Sequence, residues 1–163
     1  MRRWHGLNPI ARPPSAPRRG SVSHRRLKVR GAGSTEWAEF SGTAETRPLL
    51  GGLCNVEENR FEGQDSSGGV AIRCFDRSAK RWSIYWVGSG GTLQPPVHGG
   101  FNGGVGSFEG GDVDGDRPII ARFLWHKITP DSARWEQSFS YDGGDSWETN
   151  WTMDFKRVPP NNS

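Results

Sequence analysis

The chain has 163 residues, a length that suits one domain. A mean hydropathy of −0.73 and 33% hydrophobic residues describe a modest core, and no stretch approaches the roughly 18 apolar residues that a membrane helix needs. Nine of the 21 basic residues lie within residues 1–30, ahead of the first acid, Glu36, so the rest carries 12 bases against 18 acids. The body is therefore acidic, and the +3 total argues poorly for a nucleic-acid-binding face.

Residues 1–20 place Pro9, Pro13, Pro14 and Pro17 among arginines. Proline withholds backbone donors and the arginines repel one another, so this stretch is expected to be a disordered basic tail. It has no continuous apolar region of the kind a secretory signal carries, and the expected compartment is the cytoplasm.

From Ser21 onward, short β-branched and aromatic runs alternate with Gly, Asp, Asn and Pro punctuation. That is the pattern of successive strands and turns. Strands are expected at 22–30, 35–46, 50–61, 69–77, 81–89, 96–102, 105–110, 118–127, 132–141 and 147–157, with no helix and a disordered C-terminus at 159–163.

The third and fourth strands carry Cys54 and Cys74, which fall opposite each other across the loop near Gly63–Gly69. Two buried free thiols in a reducing compartment are the preferred reading, ahead of a disulfide. Asn55, Glu57 and Glu58 lie on the third strand. Adjacent residues on a strand face opposite ways, so only one of the two glutamates lines an interior, where a buried carboxyl can serve as general acid or base. Arg47, Arg73 and Arg122 lie on or beside strands, and an inward arginine suits a ligand carboxylate.

Trp82, Ile84 and Trp86 alternate in RWSIYW, as do Phe123 and Trp125 in ARFLWHK. Between them, Asp112, Asp114 and Asp116 alternate in GGDVDGDRP. Such carboxylates could hold Ca²⁺, but no Glu follows at the EF-hand distance, and a solvated turn is the preferred reading. His5, His24, His98 and His126 are scattered without metal-ligand spacing. No metal site or cofactor is expected.

The last two strands form the clearest unit. Trp135, Gln137, Phe139 and Tyr141 alternate on one, and Trp147, Thr149, Trp151, Met153 and Phe155 on the other. If Tyr141 opposes Trp147, then Gln137 faces Trp151 and Trp135 faces Met153, giving an aromatic wall with one inward amide. The joining segment, Ser140 to Trp147, fits the Asp-box pattern with Ser for Thr. Its expected role is a well-formed hairpin turn plugged by the Trp.

The segments HRRLKVRGAGSTEWAEFSGT, RPLLGGLCNVEENRFEG, RCFDRSAKRWSIYWV, GTLQPPVHGGF and RPIIARFLWHKITPDSARWEQSFSYDGGDSWETNWTMDF together resemble a bacterial family of small lipocalin-like (calycin-type) β-barrel proteins, a domain of unknown function. The resemblance runs from about His24 to Arg157. It implies an up-and-down antiparallel barrel with a central pocket and no particular activity. The start departs from the family's aromatic-rich opening strand and reads ARPPSAPRRGSVS, so the closing strand is expected to be incomplete or shortened to 22–30.

The expected architecture is an all-β, antiparallel, up-and-down barrel of 9–10 strands spanning 21–158. The expected function is binding of a small, partly apolar molecule in an aromatic-lined interior. The candidate ligand-binding residues are Trp86, Trp125, Trp135, Gln137, Trp151, Arg73, Arg122, Asn55 and Glu57. The alternative is a barrel enzyme, an isomerase, cyclase or hydrolase, using an interior Glu. The expected partner is a small molecule, with neither nucleic acid nor membrane, and the chain is expected as a monomer or homodimer.

Overall fold

A computed structural model describes residues 19–63 and 67–159. Ten strands follow one another: β1 (Arg19–Leu27), β2 (Trp37–Leu49), β3 (Cys54–Phe61), β4 (Gly68–Asp76), β5 (Arg81–Gly88), β6 (Val97–Asn102), β7 (Val105–Asp114), β8 (Arg117–His126), β9 (Ser132–Ser140) and β10 (Glu148–Arg157). Each pairs antiparallel with its neighbours in sequence, and β1 also pairs with β10, so the sheet closes. Closure gives every strand a partner on both sides and removes the exposed edges that invite aggregation. Among the described residues the only helical element is a single 3₁₀ turn, Leu50–Gly52, and no helix is long and apolar enough to cross a membrane.

The first strand corrects one expectation. It is complete, begins at Arg19 and ends at Leu27, and it pairs along its length with β2 and from Gly20 to Arg26 with β10. Along it Ser21 and Ser23 face outward, and Val22 and His24 turn inward and are buried. The expected basic tail otherwise lies outside the described residues, as does the C-terminus from 160 onward.

A second difference is β7, which continues four residues past its expected end, to Asp114. The hairpin then turns on two residues, Gly115 and Asp116, between Asp114 and its partner Arg117. Gly115 takes φ +62°, a left-handed conformation that suits glycine in so tight a turn.

One end of the barrel is filled by Val22, Val97, Phe108 and Phe155, all buried. The opposite end receives the β1–β2, β3–β4, β5–β6, β7–β8 and β9–β10 connections. There the interior opens into a cavity.

The C-terminal hairpin keeps the expected pairs Gln137–Trp151 and Trp135–Met153. A bulge at Asn150 then shifts the register by one residue, so Phe139 meets Glu148. Inserting one residue re-aims every side chain beyond it. Trp147 and Thr149, expected inside, therefore face outward, and Asn150 is fully buried beside Trp151.

Candidate functional site

The cavity measures about 230 Å³. Strand alternation decides what lines it. On β3, Asn55, Glu57 and Asn59 face inward and are buried, while Glu58 faces out and pairs with Arg60 at 3.1 Å. On β8, β9 and β10 the same period brings in Phe123 and Trp125, Trp135 and Gln137, and Trp151.

The apolar wall is built from edge-to-face indoles. Trp135 and Trp151 stand 5.4 Å apart at 90°, and Trp86 meets Trp151 at 6.1 Å and 86°. These are the separations at which ring edges meet ring faces favourably. Trp86 lies directly over Gly69: a Cβ there would sit 2.2 Å from its Cζ2. Any side chain at position 69 would displace the indole from the cavity.

The polar floor centres on Glu57, which is 0% exposed. Its carboxylate accepts from Arg73 Nη2 at 2.9 Å, Asn59 Nδ2 at 3.1 Å and Thr46 Oγ1 at 3.0 Å. Arg73 also donates through Nη1 to Asn55 Oδ1 at 3.0 Å, and its guanidinium lies 5.3 Å from the Trp125 ring. A buried ion pair is tolerated when its remaining lone pairs are bonded, as here, and removing one partner leaves a stranded charge. With three donors on it, Glu57 holds Arg73 in place.

Seven of the nine residues singled out from the sequence line this one cavity: Glu57, Arg73, Trp86, Trp125, Trp135, Gln137 and Trp151. Asn55 sits behind Arg73 and orients it. Arg122 lies outside the barrel. It is on the outward phase of β8, bonds Glu109 at 2.7 Å and stacks 3.5 Å from the Trp147 ring.

Sequence reasoning passed over four residues here. Arg26 lines the cavity, with its guanidinium 3.9 Å over the Trp151 ring. Asn59 continues the inward phase of Asn55 and Glu57. Asn150 accepts from Gln137 Nε2 at 2.8 Å. His24, behind Trp151, is 1% exposed and accepts from Trp151 Nε1 at 3.3 Å. Burial, aided by the nearby charge of Arg26, lowers its pKa to about 4. The alternation Val22, His24, Arg26 was the signal for two of them, masked by the Arg-rich composition around it.

At the mouth, Arg30 pairs with Asp114 at 2.7 Å. Tyr141 donates to the same carboxylate at 2.7 Å, and burial together with Asp114 pushes its hydroxyl up to about 12. The Gly31 N–H bonds Glu148, and Arg117 donates to the Gly31 carbonyl at 2.9 Å. The β1–β2 connection is thus strapped across the open end.

The remaining sequence features have structural roles. Asp114 is used in the mouth, and among the described residues no group of three His, Cys, Asp or Glu could hold a metal. Cys54 and Cys74 are paired across β3 and β4 as free thiols. Burial and the Cys54 neighbour push Cys74 up to about 11, which keeps it protonated and unreactive. In the Asp-box hairpin, Asp142 takes Ser146 N–H at 2.9 Å and Ser140 Oγ at 2.8 Å, and Trp147 Nε1 closes the turn on the Gly144 carbonyl at 3.1 Å.

The chain matches no protein-family model and no curated protein.

Proposed function

We propose that this barrel binds a small, flat, partly apolar molecule between Trp86, Trp125, Trp135 and Trp151, in the manner of a lipocalin-like barrel. A set of polar atoms without partners carries this reading. Arg26 Nε, Arg73 Nε and Asn59 Oδ1 are buried without a hydrogen-bond partner in the protein, and all three side chains line the same cavity. Leaving such an atom unsatisfied costs about 1–3 kcal/mol. Indole walls with a few convergent polar groups are the usual make-up of a small-molecule site. The volume lies below the usual ~300–1,000 Å³ range, which favours a compact ligand of one or two rings.

The test is calorimetric titration with 2-naphthamide, a flat neutral probe. One molecule should bind per chain. Ala71, between Glu57 and Trp86 in the ladder and lining the cavity, offers a way to fill the space. Ala71→Leu should weaken the probe at least tenfold while the protein stays folded. No binding to the wild type at millimolar probe, or unchanged binding in Ala71→Leu, would remove the interior-site reading.

A further inference from the structure

We propose that the molecule held in this cavity is an anion, an aromatic or otherwise flat apolar carboxylate, and that Arg26 takes its charge. This rests on the interior-site reading above and adds the ligand's chemical class and the residue that selects it.

Three arginines line the cavity. Two are neutralised within the protein, Arg73 by Glu57 at 2.9 Å and Arg30 by Asp114 at 2.7 Å. Arg26 forms no ion pair among the described residues. The one other carboxylate on the lining, Asp112, lies at the rim and accepts the Val113 N–H at 2.8 Å. Burial, and secondarily the charge of Arg30, lowers the pKa of Arg26. A half-buried cation without an ion-pair partner is an unfavourable arrangement that a protein seldom keeps without a counter-charge.

The orientation of Arg26 says how that counter-charge would be met. The guanidinium lies 3.9 Å from the Trp151 ring centroid, and 5.6 Å from those of Phe40 and Phe61. No hydrogen bond from its N–H donors is made among the described residues, and Nε is buried without a partner. A fork of donors without an acceptor matches a carboxylate, which accepts two parallel N–H bonds. Trp151, under Arg26, also forms a wall of the cavity, so a ligand carboxylate on Arg26 would place its apolar body against the indoles.

The test compares 2-naphthoate with 2-naphthamide at neutral pH. The two have nearly the same shape and differ in charge. The wild type should bind naphthoate at least tenfold more tightly. Arg26→Gln should bring that ratio close to one by weakening naphthoate at least tenfold more than naphthamide, whereas a purely structural Arg26 would weaken both probes by the same factor. If neither probe binds, the cavity reading itself falls. If naphthamide binds and naphthoate gains nothing, the anion inference falls alone. If the preference survives Arg26→Gln, another residue holds the charge. A second measurement needs no variant: in ¹⁵N-labelled wild type, the Arg26 Nε–H resonance should shift with naphthoate and stay in place with naphthamide. A resonance that ignores naphthoate overturns the assignment.

Discussion

His24 shows how one buried side chain ties stability to pH. Its ring stacks on Phe40 at 4.5 Å and 7°, and its Nδ1 accepts the Trp151 indole N–H at 3.3 Å. That bond assigns the proton of the neutral ring to Nε2, which points toward Gly42, where a Cβ would sit 3.0 Å from it. Protonating Nδ1 would set two donors against each other and add a charge beside Arg26. The folded pKa of about 4 lies below the ordinary 6.5, so the unfolded chain binds the proton more readily. The stabilisation is intact at neutral pH, erodes as pH falls through 6.5, and is fully lost below about 4. At 1.36 kcal/mol per pH unit, the loss attributable to His24 reaches about 3 kcal/mol by pH 4. Urea unfolding of the wild type and of His24→Phe between pH 7 and pH 4 should give curves that converge by that amount as the pH drops. Parallel curves would mean that His24 does not carry the acid sensitivity.

At the scale of elements, the Asp-box hairpin shows what a sequence pattern can and cannot specify. Its turn was legible because the chemistry is local: Ser140, Asp142, Gly144 and Ser146 satisfy one another within seven residues. The register above it was not. Both possible registers give alternating aromatic and polar residues, and only the burial of Asn150 and the outward turn of Trp147 distinguish them. That choice depends on partners distant in sequence: Gly31 receives Glu148, and Arg122 receives Trp147. The turn itself makes a prediction. Hydrogen bonds from Ser146 and Ser140 hold the Asp142 carboxyl down to about 2, below its ordinary 3.8. Its contribution to stability is therefore present above about pH 4 and fades as pH falls through about 2. Asp142→Ala should lower the melting temperature at pH 6 and bring it closer to that of the wild type at pH 2. An equal deficit at both pH values would show that the carboxylate's charge is not what the turn uses.

At the scale of the whole molecule, the ten strands could be read from turn residues and period-two alternation, with ends within a few residues. The interior phase of the aromatic strands β5, β8 and β9 followed from the same rule, through Trp86, Trp125 and Trp135, whereas on β3 alternation said only that one of Glu57 and Glu58 faces inward. Arg26 was missed because composition outweighed alternation, and Arg122 was misplaced because its outward phase on β8 was not followed.

What no pattern conveyed is that the barrel wall is uneven. β5 and β6 share three register pairs, Trp82–Gly99, Ser83–His98 and Ile84–Val97. Above them, β5 is covered on that side by the Gln94 N–H on the Trp86 carbonyl at 2.9 Å and a single bridge from Val87 to Leu93. Pro95 and Pro96 have no N–H to extend the ladder, so the seam cannot close further. Trp86 and Gln94 flank this seam and also line the cavity, which offers a ligand a second way in, beside the strapped open end, without the barrel unfolding. Regions with few backbone bonds open locally at lower free energy than the global transition. Hydrogen exchange should therefore find Gln94 and the β6 amides exchanging at least tenfold faster than those shared by β1 and β10. Saturating 2-naphthoate should slow Gln94 and leave the β1–β10 amides unchanged, because the ligand would close the seam from inside. Uniform protection around the barrel, or slowing that is the same at every strand, would mean that entry requires opening at the strapped end, past Arg30 and Gly31.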